Sequence, residues 1–256
     1  MTKGQNLILV TNDDGVDAKG LSALIEAVEP LGEVVIVAPV EAQSGMSQAI
    51  TVKHPLRAKK AKLNGCVSYA VNGTPTDCVK LAFNKLLSRK PDLLVSGINH
   101  GSNSSTSVLY SGTLGAALEG SLNEIPSIGF SLISYDPEAN LDIARKYASK
   151  ISQQVLKNGL PLHTCLNVNI PSIPEKEIKG IKVCRQTIGF WQEEFDHRID
   201  PAGKEYYWLT GKYYNTEPDA DDTDEWALKN NYIAVVPLTI DLTSYPTLNT
   251  IKNWKF

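Results

Sequence analysis

The chain has 256 residues, of which 42% are hydrophobic and 21% charged, with 25 Lys+Arg against 28 Asp+Glu for a formal charge of −3. The apolar content excludes a disordered chain, and the length suits one large core. Near-balanced charge excludes nucleic-acid binding through a generally basic surface, and no apolar run approaches the roughly 18 residues that span a bilayer.

Asn6–Thr11 (NLILVT) reads as a buried strand that stops at a polar cluster. Gly20–Pro30 places Leu21, Leu24, Ile25 and Val28 at i, i+3, i+4, i+7, the stripe of a one-faced helix. Glu33–Ala38 (EVVIVA) is a second fully apolar strand closed by Pro39, and such runs suit a parallel sheet covered on both faces. Ala49–Ser68 carries Lys53, Arg57, Lys59, Lys60 and Lys62 and reads as a hairpin or extended arm: a solvated strand pair or a polyanion site. Asp92–Ser96 (DLLVS) and Ser127–Ser131 (SIGFS) repeat the strand theme around a helix over Ser111–Glu124, with Ser111 as its N-cap. Thr187–Glu225 is rich in aromatics and acids, and its run Glu217–Glu225 (EPDADDTDE) reads as an exposed loop. Tyr232–Pro237 (YIAVVP) closes the series as a late strand. The alternation predicts an α/β fold, a doubly wound, mostly parallel, three-layer sheet of the Rossmann-like kind. One domain over 1–256 is expected, with an α/β core over about 1–185 and a protruding C-terminal arm with a closing strand and helix over about 186–256.

Cys66, Cys78, Cys165 and Cys184 form no CxxC pair, so free thiols are expected rather than disulfides or a structural zinc site. The start has one early Lys and only LILV as an apolar stretch, too short for a secretory signal. A cytoplasmic protein is therefore expected, with no membrane association and no stable nucleic-acid binding; the glycosylation patterns at Asn72 and Asn103 are then chance matches.

Ligands bind outside the carboxyl ends of strands in open α/β sheets. Three oxygen-rich clusters follow predicted strands: Thr11-Asn12-Asp13-Asp14-Gly15, then Gln43-Ser44-Gly45, then Gly97-Ile98-Asn99-His100-Gly101 leading to Asn103 and Ser111-Gly112-Thr113. Adjacent Asp13 and Asp14 repel one another, so ionising both at a buried site needs a cation, and hard oxygen ligands suit Mg²⁺, Mn²⁺ or Ca²⁺. The same tetrapeptide also fits a turn or helix start. Ser111-Gly112-Thr113 at a helix start offers amides and hydroxyls to an anion, or is a plain N-cap. His100 is either a group facing substrate or a solvent-facing loop histidine. The chain lacks G-x-x-x-x-G-K-[ST], G-x-G-x-x-G and G-x-S-x-G.

Five segments together, ILVTNDDG (Ile8–Gly15), APVEAQSG (Ala38–Gly45), NGTPTDCVKLA (Asn72–Ala82), SGINHGSN (Ser96–Asn103) and YSGTLGAALEG (Tyr110–Gly120), resemble the survival protein SurE family of metal-dependent 5′/3′-nucleotidases. Arg185–Gly211 is similar to its C-terminal region. Where the family often carries a Gly-containing stretch after Asn103, this chain has Ser104-Ser105-Thr106-Ser107. The resemblance implies hydrolysis of nucleoside 5′- and 3′-monophosphates, with some activity on short polyphosphate. It implies one divalent ion, Mg²⁺ or Mn²⁺, per subunit on Asp13, Asp14, Ser44 and Asn99. Asn12, Asn103, Ser111, Gly112 and Thr113 would face the phosphate, with Asp13, Asp14, Asn103 and Ser111 carrying catalysis. A homodimer or homotetramer with exchanged C-terminal arms is also implied. A Ca²⁺-dependent nucleoside hydrolase and a non-enzymatic nucleotide-binding protein are the alternatives.

Overall fold

The computed structural model describes residues 5–255. Strand β1 (Leu7–Thr11) is buried along its whole length. Helix α1 (Lys19–Val28) buries Leu21, Leu24, Ile25 and Val28 as its stripe requires, and β2 (Glu33–Pro39) follows. β3 (Ala58–Leu63) and β4 (Cys66–Val71) pair antiparallel across Asn64-Gly65, both at positive φ, as a tight hairpin turn demands. Of the basic segment, Lys59, Lys60 and Lys62 are exposed on the outermost strand, where charge protects a sheet edge from further pairing.

Helix α2 (Pro75–Leu81) opens on a reciprocal cap between Thr74 and Asp77. β5 (Leu93–His100), a 3₁₀ turn (Ser105–Leu109), α3 (Gly112–Leu122), β6 (Ser127–Ile133), α4 (Asp142–Asn158), β7 (Thr164–Pro171) and β8 (Ile181–Val183) complete the first part. Two small antiparallel ladders then form the arm: β9 (Gly189–Gln192) pairs with β12 (Lys212–Asn215), and β10 (Phe195–Ile199) with β11 (Glu205–Leu209). Helix α5 (Asp224–Lys229), β13 (Ile233–Thr239) and α6 (Tyr245–Ile251) end the chain.

Nine strands make one sheet in the order β3-β4-β2-β1-β5-β6-β7-β13-β8. The six from β4 to β7 run parallel; β3 runs against β4 and β13 against β7, while β8 pairs parallel with β13. Ile8 and Val10 pack with α1 and α4 on one face, whereas Leu7 and Leu9 pack with α2 and Ala116 of α3 on the other. That alternation along β1 produces the three layers, each fully buried aliphatic contributing about 1.5–3 kcal/mol. The chain steps outward from β1 through β2 to β4, then resumes on the other side of β1 with β5, β6 and β7. The reversal leaves a crevice at the carboxyl ends of β1 and β5.

Two sequence expectations are corrected. β5 does not stop at Ser96: its register against β6 shifts between Ser96 and Asn99, then resumes with Asn99 opposite Ser131 and His100 opposite Leu132. Gly97 absorbs the shift at φ 126°, with its backbone so close to Phe130 that a Cβ would lie 2.3 Å from the Phe130 carbonyl oxygen. The acidic run is not wholly an exposed loop, because its last residues start α5, and Thr223 and Asp224 are fully buried. All four cysteines are free thiols, and burial pushes that of Cys184 up to about 11.

Candidate active site

Asp13 and Asp14 leave β1 at the crevice, and the start of α3 meets them there. Asp13 is 3% exposed. Its Oδ1 accepts the Thr113 hydroxyl at 2.5 Å, and the Thr113 backbone N–H also favours the ionised carboxyl. Asp13 thus sits on the positive end of α3, where a carboxylate gains most from the helix dipole. Gly112 makes room for it: a Cβ there would lie 2.8 Å from the Asp13 Cβ. Burial nevertheless dominates and pushes Asp13 up to about 6, with the Asp14 charge adding to the rise. Asp14 is raised by partial burial, against the attraction of His100 and its backbone N–H.

This placement corrects the reading of the Thr113 hydroxyl as phosphate-facing and leaves Gly112 its backbone amide for that role. The Thr113 hydroxyl is fully buried and committed to Asp13, and the glycine's missing side chain admits Asp13. Ser111 is the N-cap, its Oγ accepting Leu114 N–H at 3.1 Å, which leaves its own O–H free to donate.

The segment bearing Ser44 is tied down at three places. Gln43 N–H donates to the Asp13 carbonyl at 2.7 Å. Ser47 donates its N–H to the Tyr110 carbonyl at 3.2 Å and its hydroxyl to the Leu109 carbonyl at 2.8 Å. Asp77 accepts Thr51 N–H and hydroxyl at 3.0 and 2.6 Å, and the Thr74 hydroxyl holds the Ala49 carbonyl at 2.7 Å. Ser44 itself is exposed between the first two ties. Thr74 and Asp77 lie in a quoted motif without an assigned role; the T-x-x-D spacing of a capping box was their signal.

Asn99 is half-buried, its Nδ2 donating to the Gly101 carbonyl at 2.9 Å, so Oδ1 is the acceptor left to the crevice. His100 lies on β5 rather than a solvent-facing loop, and its buried Nδ1 has no partner in the protein. Asn103 is 7% exposed. Its Nδ2 donates to Ser131 Oγ at 2.8 Å, its N–H to Asn169 Oδ1 at 2.9 Å, and its carbonyl accepts Asn167 Nδ2 at 2.8 Å. One Nδ2 hydrogen stays available to a ligand. Asn167 and Asn169 escaped the sequence reading, although two asparagines alternating with aliphatics inside a buried parallel strand are a visible anomaly.

The donor set fits a hard divalent cation. Asp14 Oδ2 and Asn12 Oδ1 are buried without a partner in the protein, as are the hydroxyls of Thr11 and Ser96, residues that lie opposite one another in the β1–β5 register. Buried polar atoms are seldom left so. Among the described residues no group of three or more His, Cys, Asp or Glu side chains converges, so the carboxylate pair with neutral oxygens is the cation-binding chemistry on offer.

Comparison with known proteins gives the family. The model of the family described as "Survival protein SurE" matches residues 8–193. The chain belongs to the SurE family. It is 51% identical over 257 residues to a protein of Christiangramia forsetii named 5′-nucleotidase SurE, covering 99% of this chain and 98% of that one. A Flavobacterium johnsoniae protein of the same name is 53% identical over 97% of this chain and 96% of its own. The crystal structure of the SurE protein from Aquifex aeolicus superposes with a TM-score of 0.83 at 40% identity, covering 96% of this chain and 98% of that one. The SurE fold thus carries both aspartates, the Ser44 segment and the α3 start to one crevice.

Proposed function

We propose that this SurE protein is a metal-dependent phosphomonoesterase that releases phosphate from nucleoside 5′- and 3′-monophosphates, with short-chain polyphosphate as a further substrate. The observation that carries the reading is buried Asp13 and half-buried Asp14 against the α3 start, with the unpartnered oxygens of Asp14 and Asn12 beside it. The names of the full-length relatives support the substrate class. One Mg²⁺ or Mn²⁺ per subunit would be held by Asp13, Asp14, Ser44 and Asn99, neutralising the carboxylate pair and withdrawing charge from the phosphoryl oxygens.

The remaining work falls to the chain. Thr113 fixes the Asp13 carboxylate, and Asp14 Oδ2 orients an attacking water. The free O–H of Ser111, the Gly112 amide, Asn12 and the spare Nδ2 hydrogen of Asn103 stabilise charge on the phosphoryl oxygens. Catalysis is then mostly positioning and electrostatics, as expected for phosphoryl transfer. Thr113 and the Gly112 side-chain gap act through Asp13.

The test is phosphate release across all nucleoside monophosphates after chelation, with metals added back one at a time. Activity lost to the chelator and restored by Mg²⁺ or Mn²⁺ is expected. Chelator-resistant turnover overturns the metal assignment, and free base from adenosine without phosphate from AMP points to a nucleoside hydrolase. The protein is further proposed to work in the cytoplasm as a homodimer or homotetramer with exchanged arms.

A further inference from the structure

The loop that carries Asn103 is gripped from two sides. On the sheet side, Asn167, Asn169 and Ser131 hold its backbone and amide, and Asn169 Nδ2 donates to Asn167 Oδ1 at 2.9 Å, so the grip is itself braced. On the other side stands the end of the acidic run. Asp224 is fully buried, far from β5 in sequence, and accepts Ser105 N–H on Oδ2 at 2.8 Å. Its Oδ1 accepts Thr187 N–H at 2.9 Å, the Thr187 hydroxyl at 2.5 Å and Glu225 N–H at 2.9 Å. Glu225 accepts the Ser104 hydroxyl, Ser102 and Ser104 hydroxyls are 2.6 Å apart, and Ser104 N–H donates to Ser102 Oγ at 3.2 Å. Ser105 sits at φ 51°, a left-handed conformation that a non-glycine residue holds only when its surroundings impose it. Its hydroxyl is used as well, on the Thr187 carbonyl at 2.9 Å and on Tyr213.

We infer that Asp224, assisted by Glu225, is a positioning residue for the reaction: it fixes the Ser102–Ser105 backbone and so sets where Asn103 presents its spare amide hydrogen. Ser104 gives its hydroxyl to Glu225 and Ser105 its backbone N–H to Asp224. Both acids lie beyond residue 193, where the family match ends. A buried carboxylate accepting several N–H and O–H bonds is a stiff anchor, and an asparagine in its place must turn an NH₂ toward one of those donors.

This inference rests on the phosphatase reading and on Asn103 belonging to that site. The experiment is a double-mutant cycle in the metal-loaded, full-length protein with Asp224→Asn, Asn103→Ala and the double variant. KM, kcat per folded protein and thermal midpoint are measured with a nucleoside monophosphate. Expected is a fall in kcat of about ten-fold for Asp224→Asn with KM changed less than about three-fold. The double variant should be no slower than Asn103→Ala alone by more than about two-fold, because both changes remove one contact. Multiplying losses, or Asp224→Asn at wild-type kcat, overturns the inference: the carboxylate is then structural only. If Asp224→Asn does not fold, Glu225→Ala goes through the same cycle and is read by the same criteria. Asn103→Ala at wild-type kcat overturns the inference while leaving the phosphatase reading intact. An inert wild type sinks that reading first.

Discussion

Asp13 is costly to ionise where it stands. Its folded pKa of about 6 lies above the ordinary 3.8, so without a cation its stabilising contribution is complete below about pH 4 and is lost as pH rises through about 6. Two units correspond to about 3 kcal/mol. Asp13→Asn, which can still accept the Thr113 hydroxyl, is expected to abolish turnover yet raise the thermal midpoint of chelated protein by several degrees at neutral pH. The gain should fade toward pH 4; a difference that stays flat from pH 4 to 7 contradicts the assignment. Thr113→Val keeps the shape but removes the bond to Asp13. It is expected to weaken Mn²⁺ binding and lower kcat/KM by roughly ten-fold, about 1.4 kcal/mol, with Thr113→Ser near wild type; a metal titration with both variants checks it. The sequence exposes Asp13 and Asp14 because polar residues end an apolar strand. It hides the Thr113 bond, which joins residues 100 apart and has no local signature.

Elements were legible where one periodicity ruled them. Continuous aliphatic runs gave β1 and β2, and the 3.6-residue stripe gave α1. Helix α4 went unread, since its buried positions are mostly Ala144, Ala148 and Ser152, small residues that look polar or neutral in a helix rich in Lys and Gln. The continuation of β5 to His100 was hidden because Gly97 reads as a strand end when it is a kink within one. Gly112→Ala tests the meeting of α3 and β1. Alanine favours helix, so a native circular dichroism spectrum is expected, but the 2.8 Å clash with Asp13 should cost at least about ten-fold in kcat, about 1.4 kcal/mol. Asp77→Ala removes the carboxylate half of the α2 cap, which holds Thr74 N–H, and frees the Thr51 end of the Ser44 segment. A loss of about 1–3 kcal/mol in urea unfolding is expected, together with a raised metal requirement.

Among the described residues, the β10–β11 ladder bares large apolar side chains on both of its faces. Phe195, Ile199, Trp208 and Leu209 on the β10–β11 ladder are each 60–72% exposed. Side chains of that size on a projecting ladder fit cover by a second copy. Replacing Phe195–Leu209 by a short Gly/Ser turn is expected to give a folded protein whose mass by light scattering falls to that of one chain; an unchanged oligomer removes the arm from the assembly. The sequence showed the arm as a patch of aromatics, but its ladders depend on which residues pair, and composition does not state register.

The arm's geometry has a bearing on how such a protein can change over time. β9 and β12 begin and end side by side, Gly189 opposite Asn215, so everything beyond them is attached through two neighbouring strands. Loop closure depends only weakly on length once the ends are joined. Insertions or deletions at the tip are therefore nearly free for the sheet and the crevice, whereas one residue gained or lost between β12 and α5 would shift the residues that grip Ser104 and Ser105. Descendants of this chain can lengthen or shorten that tip without disturbing the residues that meet at the crevice.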